Sequence, residues 1–218
     1  MLTSVVRIVD DEESVRDSRR FLLELEGFQV AVFDSAESFL ERDDAKRPGC
    51  LVLDLRMPGM SGLELQAELA RRGRAIPILF ISGHADVDSA VLALKNGAFD
   101  FIQKPVMPER LIDAVRKLVA YSEEAAARSA VTASARGKIS RLTPREMTIA
   151  RLVISGAQNK AIAEELGLAE QSVKIYRSHV CQKLEVKNAV ELGELFRTAG
   201  LTNEDSPDGY VTGRVFLK

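Results

Sequence analysis

The chain has 218 residues, 46% of them hydrophobic and 28% charged, with a formal net charge of −2, a length and composition that suit two globular modules. Its longest apolar runs, such as Ile78 to Ile81, fall far short of the roughly 20 residues a membrane helix needs, and MLTSVVRIVDDEE lacks the basic start and long apolar core of a secretory leader. With two cysteines only, Cys50 and Cys181, reduced thiols are expected rather than a disulfide framework, and the cytosol is the expected compartment.

Along the first half, short apolar runs alternate with segments of helical period. The strand candidates are Val5–Val9, Gln29–Phe33, Leu51–Leu53, Ile78–Ile81 and Phe99–Ile102. Between them Ser14–Leu25 places Val15, Phe21, Leu22 and Leu25 mostly on one face, and Gly62–Arg71 does so less cleanly with Leu63, Leu65 and Leu69. A closing helix is expected over Pro108–Val119. Five βα units of this kind predict an α/β fold, a five-stranded parallel sheet with helices on both faces. Ligands of such a sheet bind beyond the carboxyl ends of its strands.

Those ends carry Asp10 and Asp11 after the first strand, Asp54 at the third, Ser82 after the fourth and Lys104-Pro105 after the fifth. A single acid at a strand end is more often a helix cap or turn residue. Three carboxylates gathered on one rim, however, repel one another unless a cation sits between them. Mg²⁺ (or Mn²⁺) suits such hard oxygen ligands and binds phosphate oxygens as well. A carboxylate in that setting can attack a phosphoryl donor and form an acyl phosphate, and Asp54 is central. Ser82 and Lys104 then contact the phosphoryl oxygens, by hydrogen bond and by charge. The turn at Met57-Pro58-Gly59 keeps the backbone tight beside the metal.

Residues 122–138, SEEAAARSAVTASARGK, are rich in Ala and Ser, and read as a linker or as an extension of the preceding helix. The charge balance changes across them. Residues 1–122 carry 16 Lys and Arg against 20 Asp and Glu, and residues 138–201 carry 10 against 7. The expected division is therefore 1–121, linker 122–138, 139–201, and a tail 202–218 without a functional account.

After the linker, Thr143-Pro144-Arg145-Glu146 has the form of a capping box with proline at the first helical position, and Ile149, Leu152 and Val153 give that helix an apolar face. A second helix is expected at about Asn159–Leu166. The turn Gly167-Leu168-Ala169 leads to a third over Glu170–Leu184. There Val173, Val180 and Leu184 share a face, leaving Lys174, Arg177, Ser178 and Gln182 outside. Such a face is usually only solvated, yet on the second helix of a helix-turn-helix it suits the major groove. Leu192, Leu195 and Phe196 make the last helix amphipathic, completing an all-α four-helix module.

VDDEESVR, LVLDLRMPGMSGLEL, PILFISGHADVDSAV, NGAFDFIQKP and LTPRE…NKAIAEELGLAEQSVKIYRSHVCQKL together resemble a two-component response regulator of the NarL/FixJ type, over residues 5–200. The resemblance implies a flavodoxin-like receiver and a LuxR-type helix-turn-helix. It implies phosphorylation of Asp54 by a sensor histidine kinase, with slow self-dephosphorylation only. It assigns Mg²⁺ to Asp11, Asp54 and the backbone carbonyl of Arg56, with Asp10 acting through water. Ser82 and Phe101 match the switch positions, Lys104 the motif lysine, and the Lys104-Pro105 bond is expected to be cis. Lys174, Ile175 and Ser178 would approach base edges, Arg177 and His179 bases or phosphates, and Lys160 and Lys187 phosphates of duplex promoter DNA.

The implied switch moves Ser82, Phe101 and the Asp86–Phe101 surface, and acts by homodimerisation, by unmasking of Lys174 and its neighbours, or by both. The last helix pairs DNA-binding domains in related proteins, and RNA polymerase is a further candidate partner. Two departures stand out. Ala169 sits at the recognition helix's N-cap where Ser or Thr is frequent, a cost of roughly 1 kcal/mol, and Ser178 is short and neutral. His84 and Cys181 lack a partner pattern and read as structural. A haloacid-dehalogenase-like phosphatase would carry a second Asp two residues after the nucleophile, where Arg56 stands. The rival is a regulator whose receiver titrates kinase phosphoryl groups while its helices bind another protein, and salt-dependent duplex binding would discriminate against it.

Overall fold

The structure is a computed structural model and describes residues 4–83 and 87–201; His84, Asp86 and the tail from 202 to 218 lie outside the described residues. The chain divides into two compact units, Met1–Ala127 and Arg128–Lys218.

The first unit runs β1 (Val5–Val9), α1 (Glu13–Leu25), β2 (Gln29–Phe33), α2 (Ala36–Arg42), β3 (Gly49–Asp54), α3 (Gly62–Arg71), β4 (Ile78–Ser82), α4 (Val87–Lys95), β5 (Asp100–Gln103) and the start of α5 (Pro108–Ile139). The strands form one parallel sheet in the order β2-β1-β3-β4-β5, the flavodoxin-like order. Both faces are buried, which explains the nearly continuous apolar runs. Val6, Ile8, Val52 and Ile81 pack with Leu23 of α1 and with Val115 and Leu118 of α5. On the other face Val9, Leu51, Leu53 and Phe80 pack with Phe39 of α2, Leu65 and Leu69 of α3, and Ala93 of α4.

Some boundaries differ from the sequence reading. β3 starts at Gly49, because as a central strand it already pairs there with Val5 of β1, and it ends on Asp54 itself. β5 starts one residue late, at Asp100, opposite Leu79. α5 runs past the expected Val119 and continues through the Ala-rich segment to Ile139, the helical of the two alternatives open for that segment, as the high helix propensity of alanine favours. That segment also supplies Ala135 to the core of the second unit.

The second unit adds α6 (Pro144–Ile154), α7 (Asn159–Leu166), α8 (Glu170–Leu184) and α9 (Ala189–Thr198). Ile149, Val153, Ile162, Val173, Val180 and Leu184 form its core with Leu192 and Phe196. The apolar face of α9 thus closes its own domain, with Leu192 and Phe196 buried and Val190 exposed. The α6 capping box is present, with Thr143 and Glu146 bonded reciprocally. Gly167, at φ 63°, ends α7 in the left-handed conformation that turns the chain into α8. Among the described residues, no helix is long and apolar enough to cross a membrane.

Candidate functional site

The strand order sets Asp54 between the ends of β1 and β4. Its carboxylate is nearly buried, and each oxygen has a partner. Oδ1 lies 2.7 Å from Lys104 Nζ, and Oδ2 accepts the Arg56 N–H at 2.8 Å. Lys104 follows β5 and reaches over the end of β4, where its own N–H donates to the Ser82 carbonyl at 2.9 Å. Its ammonium is also 3.5 Å from Asp10 Oδ2, so one cation spans two of the three rim acids. Asp11, next in the chain after Asp10, is exposed, and Ser82 is buried as the last residue of β4. Phe101 is half-buried and stacks on Phe80, centroids 6.3 Å apart and planes 25° apart. The Lys104-Pro105 bond is cis.

The loop after Asp54 packs tightly enough to demand glycine. A Cβ on Gly62 would lie 2.3 Å from the Asp54 carbonyl oxygen and 2.9 Å from the Phe80 ring, so α3 can begin directly behind the acid only at a residue without a side chain. Gly59 has φ 76°, and the next N–H, of Met60, donates to Glu37 at 3.0 Å.

One rim residue escapes the sequence reading. Arg19 of α1 donates to Asp10 Oδ2 at 2.8 Å, with side chains only 9% and 1% exposed, while the Glu12 N–H takes Asp10 Oδ1 at 3.0 Å. The inward face of α1 is Val15, Arg19, Leu22 and Leu23, whereas Phe21 and Leu25 of the expected face are exposed, so the apolar pattern alone passed over Arg19. Arg19 and Lys104 also line one cleft of about 350 Å³, with Ser18, Leu22 and Pro105.

For a metal, the donor chemistry is suitable. Among the described residues no three His, Cys, Asp or Glu side chains form a ready cage. Mg²⁺ is ordinarily held by one or two carboxylates with several waters, and the Asp11 and Asp54 carboxylates with the Arg56 carbonyl offer hard oxygens of that kind.

In the second unit, α8 buries Val173, Val180 and Leu184 and exposes Lys174, Ile175, Ser178, His179 and Gln182. Lys174 Nζ lies 3.7 Å from Glu170, an exposed pair of small energetic weight. Lys160 and Lys187 are exposed. Arg177 differs from the outward placement expected of it. It is half-buried, and Nη1 donates to Asn159 Oδ1 at 2.6 Å, joining α8 to the start of α7. Arg145 bonds the Leu166 carbonyl at the other end of α7, at 2.8 Å. Lys183 donates to Glu146 at 2.7 Å; this bond, followed by the Thr143 N–H, holds the Glu146 carboxyl down at about 2. Ala169 at the N-cap of α8 makes no side-chain cap bond.

A doubly wound domain with an acid and lysine rim at the carboxyl edge of its sheet, continued in the same chain by a helix-turn-helix unit, defines a two-module regulator with an input and an output domain. Comparison with known proteins agrees at both modules. Residues 6–116 match the response regulator receiver domain, and residues 140–196 match the bacterial regulatory proteins of the luxR family. The chain belongs to the response regulators that carry a LuxR-type DNA-binding domain.

Among its relatives, Nodulation protein W of Bradyrhizobium diazoefficiens is 39% identical over 91% of this chain and 88% of its own length. Transcriptional regulatory protein FixJ of the same organism is 36% identical over 91% of this chain and 97% of its own. The solved structure of response regulator StyR superposes with a TM-score of 0.84 at 42% identity, covering 89% of this chain and 98% of that one.

Proposed function

We propose that this response regulator accepts a phosphoryl group on Asp54 from a sensor histidine kinase in the cytoplasm and thereby changes its binding to promoter DNA. The observation that carries the reading is the Lys104 ammonium seated 2.7 Å from Asp54 and 3.5 Å from Asp10, which fixes the reactive carboxylate beside a cation able to meet phosphoryl oxygens. A carboxylate oxygen of Asp54 attacks the donor phosphorus in line with the departing group. With a phosphohistidine donor the P–N bond breaks, and its electron pair leaves on the imidazole, which takes up a proton from water. An acyl phosphate remains on Asp54. Mg²⁺ (or Mn²⁺), held by Asp11, Asp54 and the Arg56 carbonyl, would supply charge neutralisation for the phosphoryl oxygens. Ser82 donates its hydroxyl to one of those oxygens and Lys104 its charge to another. Phe101 then turns into the space that Ser82 leaves, which alters the surface between α4 and β5.

At the output, Lys174, Ile175 and Ser178 meet base edges with exposed His179 beside them, Arg177 braces α8 against the start of α7, and Lys160 and Lys187 hold phosphates. The relatives' names, transcriptional regulatory protein FixJ among them, support a promoter as the target.

The test is the oligomeric mass of the full chain with and without beryllofluoride in Mg²⁺ buffer, with duplex retention on the same samples. A dimer that gains DNA binding is expected, and a gain in binding at constant mass would assign the switch to unmasking. Asp54→Asn should abolish phosphoryl incorporation from acetyl phosphate. Retained incorporation would move the nucleophile elsewhere.

A further inference from the structure

Three acids on one rim call for positive charge, and this chain sets two cations of its own against their carboxylates. Lys104 is one. The other, Arg19, comes from α1, and its ion pair with Asp10 is almost sealed from solvent, at 9% and 1% exposure. Both oxygens of Asp10 are engaged, Oδ2 by Arg19 at 2.8 Å and Oδ1 by the Glu12 N–H at 3.0 Å. The neighbouring Arg16 guanidinium bonds the Asp10 carbonyl oxygen at 2.7 Å, so α1 grips this residue at side chain and backbone together. So held, Asp10 has its charge compensated and part of its acceptor capacity taken.

From this juxtaposition, and resting on the reading of the rim as a Mg²⁺ site, we infer that Arg19 is a resident counter-ion that cancels the charge of Asp10 and thereby weakens the site's hold on Mg²⁺. Arg19 acts through its single charge: the buried Arg19–Asp10 pair is neutral, so one of the three negative charges that would attract the cation no longer does so, and burial leaves that cancellation poorly screened by solvent. Asp10 becomes a positioning residue that orders the Asp10–Glu12 turn, while Asp11 and Asp54 carry the ionic attraction. The buried geometry makes the effect constant, unlike that of a surface arginine, whose influence falls with salt.

Mg²⁺ affinity of the full-length protein, measured by isothermal titration calorimetry and cross-checked by Mn²⁺ paramagnetic resonance, tests this without any turnover. Arg19→Met should bind Mg²⁺ about tenfold more tightly. Arg19→Lys, which keeps the charge, should stay within about twofold of the unaltered protein. Because Arg19→Met leaves a buried carboxylate without its partner, the paired variant Arg19→Met/Asp10→Asn removes both charges and avoids that penalty. It should bind Mg²⁺ within about threefold of the unaltered protein, since the intact pair contributes neither net charge nor a ligand.

Unchanged or weaker binding in Arg19→Met overturns the inference. So does a loss of more than about tenfold in the paired variant, which would show Asp10 acting as a true ligand. Absence of Mg²⁺ binding in the unaltered protein itself would overturn the metal reading, and the counter-ion role with it.

Discussion

Arg7 sits in the middle of β1 with its side chain 1% exposed, a position where an arginine must be fully provided for. Its Nε donates to Asp43 at 2.6 Å, and its Nη2 atom reaches the carbonyls of Asp44 and Arg47, both at 2.9 Å. Asp43 is shared with Arg74, which lies over the Phe39 ring at 4.8 Å. Removing the acid alone would strand a buried guanidinium, so Asp43→Ala should destabilise the receiver by about 3 kcal/mol in urea denaturation. Arg7→Met/Asp43→Leu should recover most of that loss. A change below about 0.5 kcal/mol in Asp43→Ala would mean that the carbonyls alone satisfy Arg7. Sequence patterning makes Asp54, Asp10 and Lys104 legible because strand ends are readable and acids there are conspicuous. It does not reveal Arg7 or Arg19, since the partners lie 36 and 9 residues away and a cation within an apolar pattern carries no label of what it meets.

At the scale of elements, local signals were legible where one residue type dictates the backbone. Thr143-Pro144-Arg145-Glu146 starts α6 as read, and Gly167 ends α7. The length of α5 was not, because an Ala-rich stretch suits a linker and a helix equally and only burial of Ala135 and Ile139 decides. The α6 cap also has a consequence beyond its own helix, since Glu146 is buried and receives Lys183 from the last turn of α8. Folding lowers this carboxyl from 4.5 to about 2, so the ionised form is favoured in the folded state. Its contribution to stability is therefore fully present above about pH 4.5 and is lost as pH falls toward 2. Thermal melting followed from pH 6 down to about pH 3 should show the helix-turn-helix unit weakening over that window. Glu146→Gln should lower stability at neutral pH and flatten the acid dependence. An unchanged slope in that variant would assign the acid sensitivity to other groups, such as exposed Glu185, which Lys138 also holds below its ordinary value.

Across the whole molecule, the two units own separate cores, and this decides how the chain unfolds. The core of the second unit draws on residues from Ala135 onward, while the two receiver clusters end at Val119. Chains built this way depart from two-state unfolding, so calorimetry of the full chain should resolve two transitions. On the proposed phosphoacceptor role of Asp54, beryllofluoride with Mg²⁺ binds the receiver alone, and at a hundredfold excess over its dissociation constant it would add about 2.7 kcal/mol. In a domain of this size that is a rise on the order of 10 °C. The receiver transition should move by that amount and the second should stay in place, because a ligand shifts only equilibria in which it binds the two states differently. If the second transition falls while the first rises, the difference measures a stabilising contact given up on activation, which is the energetic signature of unmasking. One merged transition that rises as a unit would instead mean that the separate cores unfold as a single cooperative body, and the modular account would have to be abandoned.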